Sequence, residues 1–519
     1  MIKRLECFRV WWFALIVFVI FIYHGHGLAM AVQPTQADRA RQLVRSAIEA
    51  MGGELKLRQL KTVRLKGFLL VNHLQDSEHP SGPFVPDRVQ YIEIRDFENR
   101  RLQRVSETVF AGSGNKFKVT SINADSLEAT VFTGNDGQTS TRMAPSSNAW
   151  YEQSPERALL LALMANDLRV GPDMIAQSVP HRIVDFTFEG RPVRLFLNAS
   201  NKFLTAVEVV RDFPYDVARR VWGDVKLRVT YSNWDLEPGG IHYPLQFDTE
   251  FNGMPLSLNI IDEVALNVPA PPETFQIDPK SKDHKLPLAD DLPLGRPDRP
   301  ITEIAPKVIQ IPGSWYSTIV RQSDGLVIIE APISSGYSQK VIAEAERRFP
   351  GVPLKAVITT NNFWWHLAGI REYVARGIDV YALDSNKNLV EQVIAAPHHF
   401  TPDALDRAPK KAKLHFVSGK LILGAGDNRL ELYPIRAATS QMMMVYFPQH
   451  QLLYTSEQAQ PLGPGGSFLY PHDLANLMTS VNQERLKVDR IIGMHMSPTP
   501  WRKLVETVEH VAGESQVEN

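Results

Sequence analysis

One histidine stands in a strand-to-helix turn whose other side chains are mostly aromatic or amide groups. Residues 359–370 read TTNNFWWHLAGI and follow the apolar run LKAVI. A hydrolytic metal site needs several nitrogen or oxygen donors that converge at strand ends, with one position open for water. Here His366 is the one good ligand, because Asn361 and Asn362 are weak oxygen donors and the ring of Phe363 has none. The turn therefore needs ligands from other strand ends to hold a metal ion.

Two further candidate ligands follow apolar strands later in the chain. The segment QLLYTSE ends at Glu457, and RIIGMH ends at His495. Both side chains should therefore lie at the rim of a sheet. Together with His366, they would give two histidines and one carboxylate, a set that can hold a single ion and leave positions open. The alternative is that each is a rim side chain bonded to backbone, and the spacing does not decide between the two.

The elements before these residues predict an α+β antiparallel-sheet domain at 36–280. A helix with one apolar face comes first, in DRARQLVRSAIEAMGG, and strands with alternating apolar residues follow it. The apolar helix SPERALLLALMAND interrupts the strands, which continue to SLNIIDEVAL. A series of strands with few helices is typical of a sheet that covers its own core on one face.

A change of composition separates this part from a second predicted domain. Residues 281–304 are rich in proline and charge and show no sustained periodicity, so we interpret them as a linker or a strap across the surface. Beyond them, short strands in two groups alternate with helices. This pattern predicts a layered α/β domain at 305–512.

Composition and the N-terminus limit the function classes. The chain of 519 residues is too long for one core, and its net charge of −1 argues against nucleic-acid binding. A basic start, an apolar run and Ala29 and Ala31 predict a signal peptide at 1–31, with an uncleaved anchor as the alternative. The single cysteine, Cys7, lies inside it. We therefore expect an exported, periplasmic protein without disulfides and without a stable membrane anchor after cleavage.

The C-terminal part resembles the metallo-β-lactamase superfamily over roughly 305–512. The family carries T-H-x-H-x-D-H-x-x-G after a strand, and VITTNNFWWHLAG matches this frame, with Thr360 before it and Gly369 after it. The resemblance implies an αβ/βα sandwich with a metal site at the shared edge of its two sheets. It also implies metal-dependent hydrolysis as the ancestral chemistry.

In that register most of the family's metal ligands are replaced. Its first two histidines fall on Asn361 and Phe363, and its aspartate falls on Trp365. Its last histidine in this motif is retained as His366. A later family histidine falls on Ala438 in AATSQMMMVYFP. The resemblance therefore implies that one of two metal sites is lost and that the aspartate which orients the nucleophilic water is missing.

Two functions stay open at this point. The family's bridging aspartate falls on Glu457 and its final histidine on His495, so His366 and these two could hold one zinc ion, or no metal binds. The protein is then a mononuclear hydrolase, or it is a non-catalytic binding or scaffold module for a small or apolar ligand. The residues expected to form the pocket are Asn361, Phe363, Trp364, Trp365 and Ala438.

The first domain is similar, at the level of pattern, to outer-membrane lipoprotein carrier and sorting proteins. The segments that carry this resemblance are AIEAMGGELKLRQLKTVRLKG, EGRPVRLFLNASNKFLTAVEVV and GGIHYPLQFDTEFNG. The resemblance implies a curved sheet able to shelter an apolar ligand. A sheet that simply covers its own core with helices is the alternative.

Overall fold

The computed structural model of the protein describes residues 35–111, 114–436, 441–461 and 468–514. The predicted signal peptide and Ala438 lie outside these described residues. Within them, no helix combines the length and the apolar character needed to cross a membrane.

The first part of the chain alternates long strands with a few helices. The helices are α1 (Gln36–Ala50), α2 (Glu54–Gln59), α3 (Ala149–Glu152) and α4 (Pro155–Met164). The strands are β1 (Thr62–Asn72), β2 (Pro86–Asp96), β3 (Arg101–Val109), β4 (Lys116–Ala124), β5 (Leu127–Gly134), β6 (Thr139–Pro145), β7 (Arg169–Val170), β8 (Met174–Ala176), β9 (Val179–Phe188), β10 (Arg191–Asn198), β11 (Leu204–Arg211), β12 (Val225–Glu237), β13 (Ile241–Phe251) and β14 (Met254–Leu266).

These strands form one antiparallel sheet, which we name the large sheet. Its described strands run in the order β6-β5-β4-β3-β2-β1-β14-β13-β12-β11-β10-β9-β7, with β8 beside β9. Helix α1 begins with a capping box between Thr35 and Asp38 and buries its apolar stripe, which includes Val44 and Ile48. That stripe packs with α4 against one face of the sheet. The predicted antiparallel sheet with few helices is confirmed.

The second part of the chain alternates shorter elements. The helices are α5 (Ser335–Arg348), α6 (Trp364–Leu367), α7 (Ile370–Arg376), α8 (Lys387–Ala395), α9 (Ala404–Arg407), α10 (Pro471–Gln483) and α11 (Trp501–Glu514). The strands are β15 (Thr302–Ala305), β16 (Val308–Ile311), β17 (Ser317–Gln322), β18 (Gly325–Ile329), β19 (Leu354–Ile358), β20 (Asp379–Leu383), β21 (Lys413–Val417), β22 (Leu421–Leu423), β23 (Leu430–Pro434), β24 (Met443–Phe447), β25 (Leu452–Tyr454), β26 (Gln460–Pro461), β27 (Phe468–Leu469), β28 (Arg490–Gly493) and β29 (Met496–Pro500).

Short 3-10 helices occur in both parts and in the segment between them. They span Arg219–Trp222, Pro272–Phe275, Pro279–His284, Ala289–Asp291, Asp384–Asn386 and Pro448–His450. Three of these lie in the proline-rich segment after β14, which makes specific contacts along its path. Asp290, for example, accepts a hydrogen bond of 3.0 Å from the Gly336 amide at the start of α5. The domain limits proposed from composition stay predictions.

Two sheets face each other in the second part, and we name this arrangement the sandwich. In the described chain, one sheet has the order β15-β16-β17-β18-β19-β20-β21 and the other the order β22-β23-β24-β25-β28-β29. Alternate side chains of each strand enter different cores, as the two-residue period of a strand requires. Val327 and Val445 meet between the sheets. Ile328 instead packs under α5, α7 and α8, and Met444 packs under α10 and α11.

Two short helices, α6 and α7, follow the turn after β19 and are separated at Gly369. The amide of Gly369 donates to the Ala331 carbonyl over 2.9 Å. A side chain at this position would overlap the Ser338 hydroxyl, so the chain approaches α5 too closely for any residue but glycine. The close approach interrupts the helical path. Gly377, with a positive φ of 74°, ends α7.

The large sheet and the sandwich share a core at Trp364. This side chain is 2% exposed, and its ring lies 5.2 Å from the ring of Trp222 and 5.3 Å from that of Phe251. The Trp364 amide donates to the Gln75 carbonyl over 3.0 Å. The loop that follows β1 in the large sheet therefore lies directly on the turn before α6.

We expect Trp364→Ala to lower the free energy of unfolding by about 3–5 kcal/mol, because it would leave a large cavity between the two parts. The measurement is urea unfolding followed by circular dichroism. Trp365→Ala is the matched control, since that side chain is half-buried and should cost less. Equal losses for the two variants would contradict the assignment of Trp364 to the shared core.

Candidate functional site

Three chain segments that follow strands meet at one edge of the sandwich. The turn after β19 leads into α6, which carries His366. Glu457 follows the end of β25, and His495 lies in the turn from β28 to β29. Because β25 and β28 are parallel neighbours, their carboxyl ends lie together. The Met443 amide, which donates to the Thr360 carbonyl over 2.8 Å, ties the turn after β19 to the opposite sheet.

Glu457 lies between the two histidines. Its Oε1 is 2.9 Å from His366 Nε2, and its Oε2 is 3.0 Å from His495 Nε2. His366 is fully buried and Glu457 is 4% exposed, whereas the His495 side chain is 30% exposed. The structure thus brings together all three residues that the strand ends predicted as candidate ligands. We name these three residues the central cluster.

The charges within the central cluster balance. Burial lowers the pKa of His366, so this ring is neutral. Burial alone would raise the pKa of Glu457, but the two histidines outweigh it and hold this pKa far below its usual range. Burial opposes protonation of His495, yet the Glu457 carboxylate and the Ser314 carbonyl raise its pKa. These shifts favour an ionised Glu457 beside a protonated His495.

The neighbours of His366 determine which of its two ring nitrogens carries the proton. Its Nδ1 faces the Nδ2 amide group of Asn361, while Asn361 Oδ1 accepts from the Phe363 amide over 3.0 Å. With Nδ1 accepting, the neutral ring carries its proton on Nε2. That Nε2 lies close to Glu457 but makes no hydrogen bond of good geometry.

A zinc ion, which the family resemblance implies, does not fit the residues as arranged. The ligand atoms of the central cluster lie within 4.8 Å of one another, so their number and convergence suit one ion and not two. A histidine ligand, however, must offer a lone pair to the metal and donate its other ring N–H to an acceptor. In His366 the Nδ1 atom accepts a hydrogen bond and the Nε2 atom carries the proton, so no lone pair faces the centre of the cluster. No step of a reaction is therefore assigned to a metal.

A second group of potential ligands is already paired with a cation. His398, Asp403 and Asp406 lie close enough together to be considered. The guanidinium of Arg371, however, donates to Asp403 over 2.6 Å and to Asp406 over 2.7 Å. A fixed positive charge between the carboxylates repels a metal ion. This group is an internal ion pair of the sandwich.

Three aromatic rings lie close to the buried ring of His366. Trp365 stacks on Trp315 with ring centroids 5.7 Å apart, and its own ring lies 6.0 Å from that of His366. The ring of Phe363 lies 5.8 Å from His366. Trp364, predicted as part of the same pocket, points the other way into the core shared with the large sheet. The described pocket residues that gather at His366 are therefore Asn361, Phe363 and Trp365.

A second buried acid lies beneath the central cluster and was not predicted. Glu330 directly follows β18 and accepts from the Thr360 amide over 3.1 Å. The Thr360 hydroxyl in turn lies 2.7 Å from that of Ser456, beside Glu457. Full burial raises the pKa of Glu330 to about 8, and the charge of Glu457 adds to this. Its position after the apolar run LVII is the same signal that identified Glu457 and His495.

A cavity elsewhere in the described chain is separate from this chemistry. It measures about 630 Å³ and lies between the large sheet and the segment after β14, with Leu127, Met143 and Phe275 among its lining residues. It contains no member of the central cluster. We assign the candidate site to the cluster, because convergent ionisable groups and not volume define a chemical site.

Comparisons with known proteins give structural neighbours but no sequence relative. A scan against protein-family models finds no match, and a search of curated proteins finds none. The solved structures that match include one alkylsulfatase and two metallo-β-lactamases. They are the inverting sec-alkylsulfatase Pisa1 from Pseudomonas sp. (17% identity, TM-score 0.30, 41% of each chain), a metallo-β-lactamase from Pontibacter korlensis (15% identity, TM-score 0.32, 40% of this chain and 97% of that one), and FIM-1 from Pseudomonas aeruginosa in its mono-zinc form (16% identity, TM-score 0.32, 44% and 97%).

These structures resemble part of this chain in fold alone. The match spans less than half of this chain in each case, and less than half of the alkylsulfatase as well. The similarity is too low to carry an argument about activity. The chemistry of this chain is therefore argued from the central cluster itself.

Glu330→Gln should remove a pH-dependent loss of stability. A carboxyl whose pKa rises from 4.5 unfolded to about 8 folded binds its proton more tightly when folded. The stability from this group is complete below pH 4.5 and falls as the pH rises towards 8, by at most about 1.4 kcal/mol per pH unit. Urea unfolding across this range should show wild type losing stability relative to the glutamine variant. A constant difference between the two proteins would contradict the assignment.

Proposed function

We propose that this protein is a non-catalytic binding module built on a hydrolase-like fold. The observation that carries the proposal is the closed central cluster. Both carboxylate oxygens of Glu457 lie within 3.0 Å of a histidine nitrogen, so neither is free to accept a proton from water. A second acid near the cluster, Glu330, is fully buried, and its raised pKa of about 8 keeps it protonated near neutral pH. Neither of these two acids is therefore available as a general base for a nucleophilic water.

The aromatic group beside the cluster supports a small, uncharged ligand with an apolar ring face. Trp315, Phe363 and Trp365 are each half-buried, so each still presents part of its ring to solvent. The neighbouring His495 side chain is 30% exposed and marks the opening. Because the pKa shifts favour opposite charges on Glu457 and His495, which offset each other, the cluster offers little attraction to an ionic ligand. We further propose, from the signal-like N-terminus, that the module acts outside the cytoplasm.

A mononuclear hydrolase is the second candidate, and one observation favours it. The ligand atoms of the central cluster lie within 4.8 Å of one another. Donors this close can share one ion at ligand distances of about 2.0–2.2 Å. This candidate requires a rearranged His366, for the reason given above.

Metal analysis separates the two candidates. We expect purified full-length protein, loaded with zinc and passed through a desalting column, to retain less than one equivalent and to leave chromogenic esters and β-lactams uncleaved. One tightly held equivalent that disappears in His366→Ala, together with hydrolysis, would establish the second candidate. Two equivalents would show that the assignment of replaced ligands is wrong.

Binding of a neutral aromatic probe tests the role of the aromatic group. We expect Trp365→Ala to weaken the binding of N-phenyl-1-naphthylamine about tenfold, equivalent to about 1.4 kcal/mol of lost stacking and burial. Probe fluorescence is the measurement. Trp234→Ala is the control, because Trp234 is also half-buried and lies 4.8 Å from a Phe203 ring, but on the large sheet. Equal effects of the two variants would place the binding elsewhere.

A further inference from the structure

The side chain of Asn361 is held in one orientation by its surroundings. It is 1% exposed. Its Oδ1 accepts from the Phe363 amide over 3.0 Å, and its Nδ2 lies 3.2 Å from the Ser456 hydroxyl. Rotating the amide group by half a turn would place two N–H donors against each other at Phe363. An unpaired buried donor costs about 1–3 kcal/mol, so the observed orientation is the favoured one.

This orientation decides which nitrogen of His366 carries the proton. The Asn361 amide group donates to His366 Nδ1, and a neutral imidazole with an accepting Nδ1 has its proton on Nε2. The Nε2 atom faces Glu457 Oε1 at 2.9 Å, at the centre where a metal ion would lie. A proton there replaces the lone pair that a metal requires.

The other two members of the central cluster are not fixed in this way. His495 bonds to the Ser314 carbonyl through its second ring nitrogen, so loss of the titratable proton that faces Glu457 would give the arrangement of a metal-binding histidine. The carboxylate of Glu457 offers two oxygens. His366 differs from both, because its neighbour Asn361 keeps the proton on Nε2 even in the neutral ring.

We infer that Asn361 is a positioning residue that keeps the central cluster free of zinc by fixing His366 with its proton on Nε2. This inference rests on the proposed function, because it gives a physical reason for the proposed lack of metal-dependent chemistry at this edge. It also means that the capacity for a single zinc site is latent. An acceptor in place of the Asn361 amide nitrogen would reverse the tautomer, since a carboxylate can accept from both the Phe363 amide and His366 Nδ1.

The test compares the same substitution, asparagine to aspartate, at two adjacent positions. Asn361→Asp supplies the acceptor, and Asn362→Asp is the matched control. Asn362 is also buried, at 3% exposure, but its amide group donates to the Ser77 carbonyl over 2.8 Å. Zinc affinity is measured on the full chain by competition with a chromophoric chelator. We expect Asn361→Asp to bind one zinc ion at least a hundredfold more tightly than wild type or Asn362→Asp, and the gain to vanish when His366→Ala is added.

The protonated nitrogen of His366 can also be identified in the wild-type protein, so the test does not depend on the folding of the variant. Long-range nitrogen–proton correlation spectra report which ring nitrogen of His366 carries the proton. We expect Nε2 in wild type and Nδ1 in folded Asn361→Asp. A wild-type proton on Nδ1, or zinc bound by wild type as tightly as by Asn361→Asp, would overturn the inference.

The two proposals fail in different ways. Tight zinc binding by wild type without hydrolysis would remove the role of Asn361 and leave the binding module intact. Hydrolysis by metal-free wild type would remove the binding module and leave the tautomer assignment intact.

Discussion

The buried negative charge of Glu457 is the constraint on which the site depends. An ionised carboxylate inside a protein costs several kcal/mol unless charged or hydrogen-bonding partners replace the lost water. The two histidine rings that face this carboxylate, His366 and His495, come from separate segments on the two sheets of the sandwich. The ends of β19, β25 and β28 must therefore meet closely enough to bring the three side chains into contact. This edge of the sandwich is fixed by electrostatics as well as by packing.

The aromatic residues of the turn give this edge of the sandwich a structural role. Phe363 packs with the core under α10 and α11, Trp364 with the large sheet, and Trp365 on Trp315. Each ring therefore fills space against a different partner, as close packing demands. The loop that contains Gln75 packs on the same turn, because its Gln75 carbonyl accepts a hydrogen bond from the Trp364 amide. The turn thus joins two parts of the chain.

The sequence predicted the features that follow from periodicity and from strand ends. Alternation gave the two-faced strands of the sandwich, and the residues after apolar runs led to His366, Glu457 and His495. Glu330 follows an apolar run in the same way, and the same signal could have identified it. The division of the helix at Gly369 was not predictable, because it depends on the approach of α5. The same holds for the direction of Trp364, whose partner Trp222 lies far away in sequence.

The two buried acids at this edge bear on the charge of the ligand that we propose. The two histidines hold the pKa of Glu457 far below its usual range, whereas burial raises the pKa of Glu330 to about 8 despite its hydrogen bonds with Thr360. The charge of Glu457 itself raises the pKa of Glu330, so a second negative charge is not stabilised here. An anionic ligand would meet the same repulsion, and a cationic one would compete with His495 for the single carboxylate. An uncharged molecule that lies on the rings of Trp315 and Trp365 disturbs neither balance.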